Sequence, residues 1–238
     1  YGANNGVYYL IATNNNPNPT ATLIHELNEG THQENEAAEL AYLEFTARRI
    51  PLVNALIDAN EREFSLKPHL CPHHGLPHSL RIWNEVEALA DSFSADKDIL
   101  AAAAFLHDLG VIHTNEVIHG NVSAEKAEAI LEKIGFPKEK IKRALAIIRE
   151  HDDYNASREG IESQLIYYAD AKDGFGPRGA SRYLAIYRKR GILEAGIGSL
   201  ALRNIEIRFG AISNASLKEL LRPSYEFSQR YFTNLTKD

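Results

Sequence analysis

An apolar run that ends in two polar residues sets the tightest limit on how this chain can fold. Ile99-Leu100-Ala101-Ala102-Ala103-Ala104-Phe105-Leu106 leads directly into His107-Asp108. A run of that kind reads as a core helix. An imidazole and a carboxylate at its end are costly to bury unless they are hydrogen-bonded, paired or metal-bound. Partners of suitable chemistry lie elsewhere in the chain: His78 before the pair, then His119, His151 and Asp170 after it.

The rest of the sequence is compatible with a helical core around that run. The 238 residues are 44% hydrophobic and 24% charged, an ordinary balance for a globular protein and enough for a substantial core without disulfides. Helical periodicity predicts helices over 36–49, 51–64, 78–93, 96–107, 123–134, 138–151, 161–172, 180–190, 197–209 and 214–235. Ser123 is the expected N-cap of its helix. Residues 66–77, with three prolines and Gly75, read as a loop, and 110–121 as irregular. No alternating pattern is long enough for a sheet. The fold class is therefore all-α, a bundle of nine or ten helices over 36–238 preceded by a short irregular appendage, 1–35, that could pack on a partner subunit of a homo-oligomer. The chain contains no methionine, position 1 included, and so reads as a processed fragment or a sequence with residues missing.

Composition narrows the partners. With 26 basic and 32 acidic residues the net charge is −6, which is not the profile of a nucleic-acid binder. An acidic protein can still take phosphates if a metal supplies local positive charge. No apolar run approaches the ~18 residues of a membrane span, and no secretory signal is expected from the first residues. A single cysteine, Cys71, fits a reducing, cytoplasmic setting. Cys71 with His69, His73 and His74 lacks the second cysteine pair of a zinc finger. Tyr225, Phe227, Tyr231 and Phe232 read as a core stripe.

The polar candidates fall on inward faces. His78 precedes Ile82, Val86 and Leu89 at offsets of 4, 8 and 11. His107 follows Ala103 and Leu100, and Asp170 follows Ile166 and Leu165, again on apolar stripes. A lone histidine on such a stripe is more often a hydrogen-bonded core residue than a ligand. His151 could be favoured by a helix C-terminus, and Asp170 could cap a helix or pair with Arg178. Jointly, however, three helices project donors toward one core, as helix bundles build metal sites. Mixed imidazole and carboxylate donors suit Mn, Fe, Co, Ni or Zn rather than an all-oxygen calcium site.

Five stretches carry a resemblance. They are His74-Gly75-Leu76-Pro77-His78-Ser79-Leu80-Arg81-Ile82, Phe105-Leu106-His107-Asp108-Leu109-Gly110, His119-Gly120 running to Ser123-Ala124, Ile147-Ile148-Arg149-Glu150-His151, and Ala169-Asp170-Ala171-Lys172-Asp173-Gly174-Phe175-Gly176. In that order the chain resembles the HD-domain metal-dependent phosphohydrolases, over about residues 70 to 190, and most of all their small bacterial type. The resemblance implies His78, His107, Asp108 and Asp170 as ligands of a first divalent metal. It places His119 and His151 where two-metal members have further ligands, with Asp108 as the bridge. It implies hydrolysis of a phosphate ester or anhydride of a small metabolite, with a nucleotide foremost, by water that the metal activates. Among nearby residues, Arg81 could orient a phosphate or a ligand carboxylate, His74 could donate a proton or touch phosphate, and Asp173 could orient a ligand or Lys172. Lys172 and Arg178 are candidates for the substrate phosphate. The chain departs from the family's last motif, with Tyr168 in place of an acidic residue and Lys172 in place of leucine. Two other functions use the same donors: a di-iron oxygenase of this fold, and a non-enzymatic ligand-binding protein with a structural metal.

Overall fold

A computed structural model describes residues 32–114 and 118–236. Its helices are α1 (His32–Ala47), α2 (Pro51–Phe64), α3 (Cys71–His74), α4 (Leu76–Ala90), α5 (Lys97–Leu106), α6 (Gly110–His113), α7 (Gly120–Lys133), α8 (Lys138–Glu150), α9 (Ile161–Asp173), α10 (Gly176–Lys189), α11 (Glu194–Gly210) and α12 (Ala215–Leu235). The described residues contain no strand. None of their helices is long and apolar enough to cross a membrane. The appendage expected over 1–35 lies outside the described residues except for its last four, which open α1 four residues earlier than the periodicity places it.

The apolar run becomes α5, and every residue from Ile99 to Leu106 is buried. Asp96 starts it as an N-cap, its side chain accepting from the N–H groups of Asp98 and Ile99. At the other end Asn60 donates its amide to the Phe105 carbonyl at 2.8 Å, satisfying one of the last acceptors of the helix. Around this rod pack α2, α4, α7, α8 and α9, while α10, α11 and α12 pack mainly on one another and on α9. His107 and Asp108 sit at the rod's C-terminal end, inside the bundle.

Three local expectations are corrected. The segment 66–77 is a 3-10 turn at Pro68–Leu70, the short α3, and the first residues of α4. Pro77 lies within the first turn of α4, where its missing N–H costs nothing. Ser123 caps no helix, because α7 begins at Gly120. Its hydroxyl instead accepts from the Gly110 N–H at 2.8 Å. The aromatic C-terminal stripe is only partly core: Phe232 is fully buried, Tyr225 stacks on Phe209 at 4.0 Å, and Tyr231 is exposed.

Candidate metal centre

Six side chains meet at the end of α5. The His78 Nε2 lies 3.2 Å from the His107 Nε2, 3.6 Å from the Asp108 Oδ2 and 3.4 Å from the Asp170 Oδ1. The His107 Nε2 is 3.5 Å from the Asp108 Oδ2. The other oxygen of Asp108 turns the opposite way, 2.9 Å from the His119 Nε2 and 3.4 Å from the His151 Nε2. The donors thus form two groups, His78-His107-Asp108 and Asp108-His119-His151, and Asp108 belongs to both.

The remaining ring nitrogens show what these groups can hold. The His107 Nδ1 lies 3.1 Å from the carbonyls of Ala103 and Ala104, and the His151 Nδ1 lies 2.7 Å from the Ile148 carbonyl. A carbonyl only accepts, so both Nδ1 atoms carry the proton and both Nε2 atoms present a lone pair. The His78 Nδ1 donates to the Asp173 Oδ2 at 2.8 Å, and the His119 Nδ1 faces the Asp152 Oδ2 at 3.3 Å. The lone pairs of His107 and His151, with the Nε2 atoms of His78 and His119, face one another and two carboxylates. A cation among them would satisfy the lone pairs, and imidazoles tied through Nδ1 to a carbonyl or carboxylate are the usual form of metal-binding histidines. Metal–ligand bonds of ~2.1 Å put neighbouring ligand atoms roughly 3.0–3.4 Å apart, close to the separations seen here. The donor set fits a divalent transition metal in each group.

Charge follows the same pattern. Burial, together with the neighbouring His151 and His78, pushes the His107 imidazole down to about 4, so it is neutral at physiological pH, as a ligand must be. Burial raises the Asp108 carboxyl, but His107, His74, His119 and His151 outweigh it and hold the group well below the usual range. Burial likewise acts against Asp170, and Arg208 and His78 overcome it. For His78 burial favours the neutral ring, yet the hydrogen bonds it gives to Asp170 and Asp173 make the net shift upward.

Close backbone approach fixes the loop that carries His119. A Cβ at Gly110 would collide with the His119 carbonyl, and one at Gly120 with the Arg149 carbonyl. Asp152, next to His151, accepts from the N–H groups of His119 at 2.5 Å and Gly120 at 3.1 Å, so the start of α7 and the end of α8 are clamped together. Asp152 was not singled out in the sequence, although an acidic residue directly after a candidate ligand is a signal.

The supporting residues sort themselves by partner. His74 faces the Asp108 Oδ2 through Nδ1 at 3.0 Å and lines the cavity. Asp173 orients His78, and it also binds the Arg81 Nε at 2.5 Å and the Arg182 guanidinium. Both oxygens of Asp173 thus engage Arg81, a buried residue, so of its two readings, a phosphate or a carboxylate, the phosphate is corrected: it braces a carboxylate that braces a histidine. Lys172 is likewise corrected. Its ammonium lies 2.6 Å from the Glu85 Oε2, and the Tyr168 hydroxyl donates to Glu85 as well, so both departures from the family motif converge on one carboxylate away from the site. Arg178 pairs with Glu39 at 2.6 Å, and Asp170 pairs with Arg208 rather than with Arg178.

The metal-facing residues open onto a cavity of about 420 Å³. Its wall includes Tyr154, Arg182, Tyr183, Tyr187, Asn204 and Arg208. None of these was named from the sequence. Arg208 was reachable, since it follows Ile205 and Ala201 at offsets of 3 and 7 on a buried stripe, the rule that singles out His78.

Comparison with known proteins agrees with this geometry. Residues 75–174 match the HD domain family. Among solved structures the chain is similar to Bacillus subtilis YpgQ, at 20% identity over 79% of this chain and 97% of that one, with a TM-score of 0.61. It is similar also to YpgQ in complex with ADP, at 21% identity over 79% and 96%, TM-score 0.60. An HD-superfamily hydrolase from Bacillus thuringiensis matches at 18% identity over 76% and 96%, TM-score 0.55. No curated protein matches. Every residue of the two donor groups lies inside the segment that matches the HD domain family, residues 75–174.

Proposed function

We propose that this protein is a metal-dependent phosphohydrolase that cleaves a phosphate ester or anhydride of a small metabolite, a nucleotide in particular. The observation that carries the reading is the convergence of four imidazole Nε2 atoms on the two oxygens of Asp108, at the floor of a cavity. His78, His107, Asp108 and Asp170 would hold one ion, and Asp108, His119 and His151 a second. Mn, Fe, Co, Ni or Zn suits these donors. Such an ion supplies an activated water and a Lewis acid for a phosphoryl oxygen.

The chain's own residues supply the rest. The Ile148 carbonyl holds the His151 Nδ1 proton and Asp152 faces the His119 Nδ1, which keeps both rings turned toward the site. His74 faces Asp108 through Nδ1 on the cavity wall and, when doubly protonated, would pass its Nε2 proton to the departing oxygen as the phosphorus–oxygen bond breaks. The ADP complex of YpgQ supports a nucleotide as the phosphorylated compound. The single cysteine supports a cytoplasmic setting.

The test is release of phosphate or pyrophosphate from a panel of nucleotides with added Mn²⁺, Co²⁺ or Ni²⁺. Asp108→Ala removes the group shared by both donor sets and is expected to abolish release; full activity in that variant rejects the assignment. The same six donors also favour a second reading, a di-iron oxygenase. Two irons per chain with oxygen uptake on a polyol or phosphonate, and no phosphate release, would select it.

A further inference from the structure

Three arginines line the cavity: Arg182, Arg190 and Arg208. They differ in what they are free to do. Arg182 is committed to the protein through both terminal nitrogens, one on Asp173 and the other donating to the His73 carbonyl at 2.5 Å, and only its buried Nε lacks an acceptor. Arg190 is exposed beyond the end of α10. Arg208 lies deep, its side chain 15% exposed, and its Nη2 donates to the Asp170 Oδ2 at 2.6 Å. Its Nε is buried and has no acceptor among the described residues.

A guanidinium carries five N–H donors in a planar fork. An interior arginine with one strong acceptor and an orphaned Nε is incompletely satisfied. Its position says what would complete it. Arg208 and the His78 Nε2 take the two different oxygens of Asp170, so the guanidinium stands one carboxylate away from the donor cluster, on the cavity wall. An acceptor that enters the cavity with several oxygens, carries negative charge and reaches the metal-facing residues meets Arg208 on the way. A phosphoryl group has those properties, and the fork matches its paired oxygens.

We propose that Arg208 is the phosphate-binding residue of this cavity, contacting phosphoryl oxygens with the part of its guanidinium that Asp170 does not use. The proposal deepens the hydrolase reading and rests on it for the identity of the reacting group. It also assigns a role to α11, which lies wholly outside the matched HD segment.

The experiment uses the full chain loaded with manganese, with inorganic phosphate as the probe. Calorimetry gives its affinity, mass spectrometry counts bound metal, and circular dichroism checks the fold. Arg208→Gln is expected to weaken phosphate binding about tenfold or more, the loss of a charge-assisted pair, with metal content unchanged. On any nucleotide that the wild type cleaves, kcat is expected to fall on the order of a hundredfold. Added guanidinium should return part of that activity. Arg208→Lys keeps the charge but not the fork, so it should keep the bound metal and recover the phosphate affinity only in part. Unchanged phosphate affinity overturns the proposal. So does a loss that excess manganese reverses, because Arg208 would then act only by positioning Asp170. If Arg208→Gln does not fold, the same comparison between wild type and Arg208→Lys decides. Phosphate binding requires no turnover, so a wild type that binds phosphate through Arg208 but cleaves no phosphorylated compound rejects the hydrolase reading and leaves this contact standing.

Discussion

Asp108 offers one carboxylate oxygen to each half of the histidine cluster, and the residues behind it decide whether that offer is kept. Asp173 is the most heavily engaged of them, since it holds His78 by its Nδ1 and neutralises both Arg81 and Arg182. The arginine nearest its charge and the His78 hydrogen bond overcome burial and keep its carboxyl ionised well below the ordinary range. Asp173→Asn therefore strands two arginines in the interior. A broken buried pair costs about 3–5 kcal/mol, and a lost supporting bond to a metal-binding histidine costs roughly 10–100-fold in metal affinity. Urea unfolding and metal titration of that variant read the two effects separately; wild-type values in both would remove Asp173 from the site's support. At this scale His78, His107 and Asp170 were legible from sequence because each sits on an apolar stripe, whereas His119 and His151 were placed only by the resemblance. The partners of Arg81, Lys172 and Arg178 were not, because a long cation reaches several helices and only the packed fold shows which carboxylate it meets.

Among the elements, α5 has the clearest local logic, and its start can be tested alone. Asp96 caps the helix and binds Lys140 at 2.9 Å. Burial raises the Asp96 carboxyl, but Lys140 and the N–H groups of Ile99 and Asp98 outweigh it and hold the group below its ordinary 3.8. A lowered folded-state pKa gives stability that is complete above the unfolded value and is lost as pH falls through the folded one. Asp96→Ala should then cost about 1–2 kcal/mol near neutral pH, as N-cap removals do. The gap between the two proteins should close in acid below pH 3.8. Parallel thermal melts across pH check this, and a gap that stays constant into strong acid would show that the cap's charge contributes nothing. The helix period placed α2 at its observed bounds, and α8 and α9 to within a residue. It failed at 66–77 and at Ser123, where prolines start helical turns and a hydroxyl serves a neighbouring loop, because both outcomes depend on tertiary contacts rather than on local period.

The whole molecule divides its work between two regions. The clustered donors come from α4, α5, the start of α7, the end of α8 and α9, while α10 and α11 contribute Arg182, Tyr183, Tyr187, Asn204 and Arg208 to the cavity wall. If ions fill the donor groups, they stabilise the fold by mass action. At a metal concentration ~100 times Kd the gain is about 2.7 kcal/mol. For a chain of this size that corresponds to a fall in Tm of roughly 5–10 °C on chelation. Scanning calorimetry before and after chelator treatment measures it, and an unchanged Tm would mean that the histidine cluster binds no ion in the native protein. The bundle was legible as a whole because its core is built from long periodic segments. The division of labour was not, since nothing local to α10 or α11 tells which cavity they border.

Leu106 runs straight into His107 and Asp108, so the innermost rod of the bundle and the reactive floor of the cavity are one continuous piece of backbone. No packing change along that rod can leave the floor where it was. The wall is under no such bond. Side chains on α10 and α11 can be exchanged without disturbing the floor, which makes those two helices the part of the molecule where a new preference among compounds can arise while the underlying reaction stays the same.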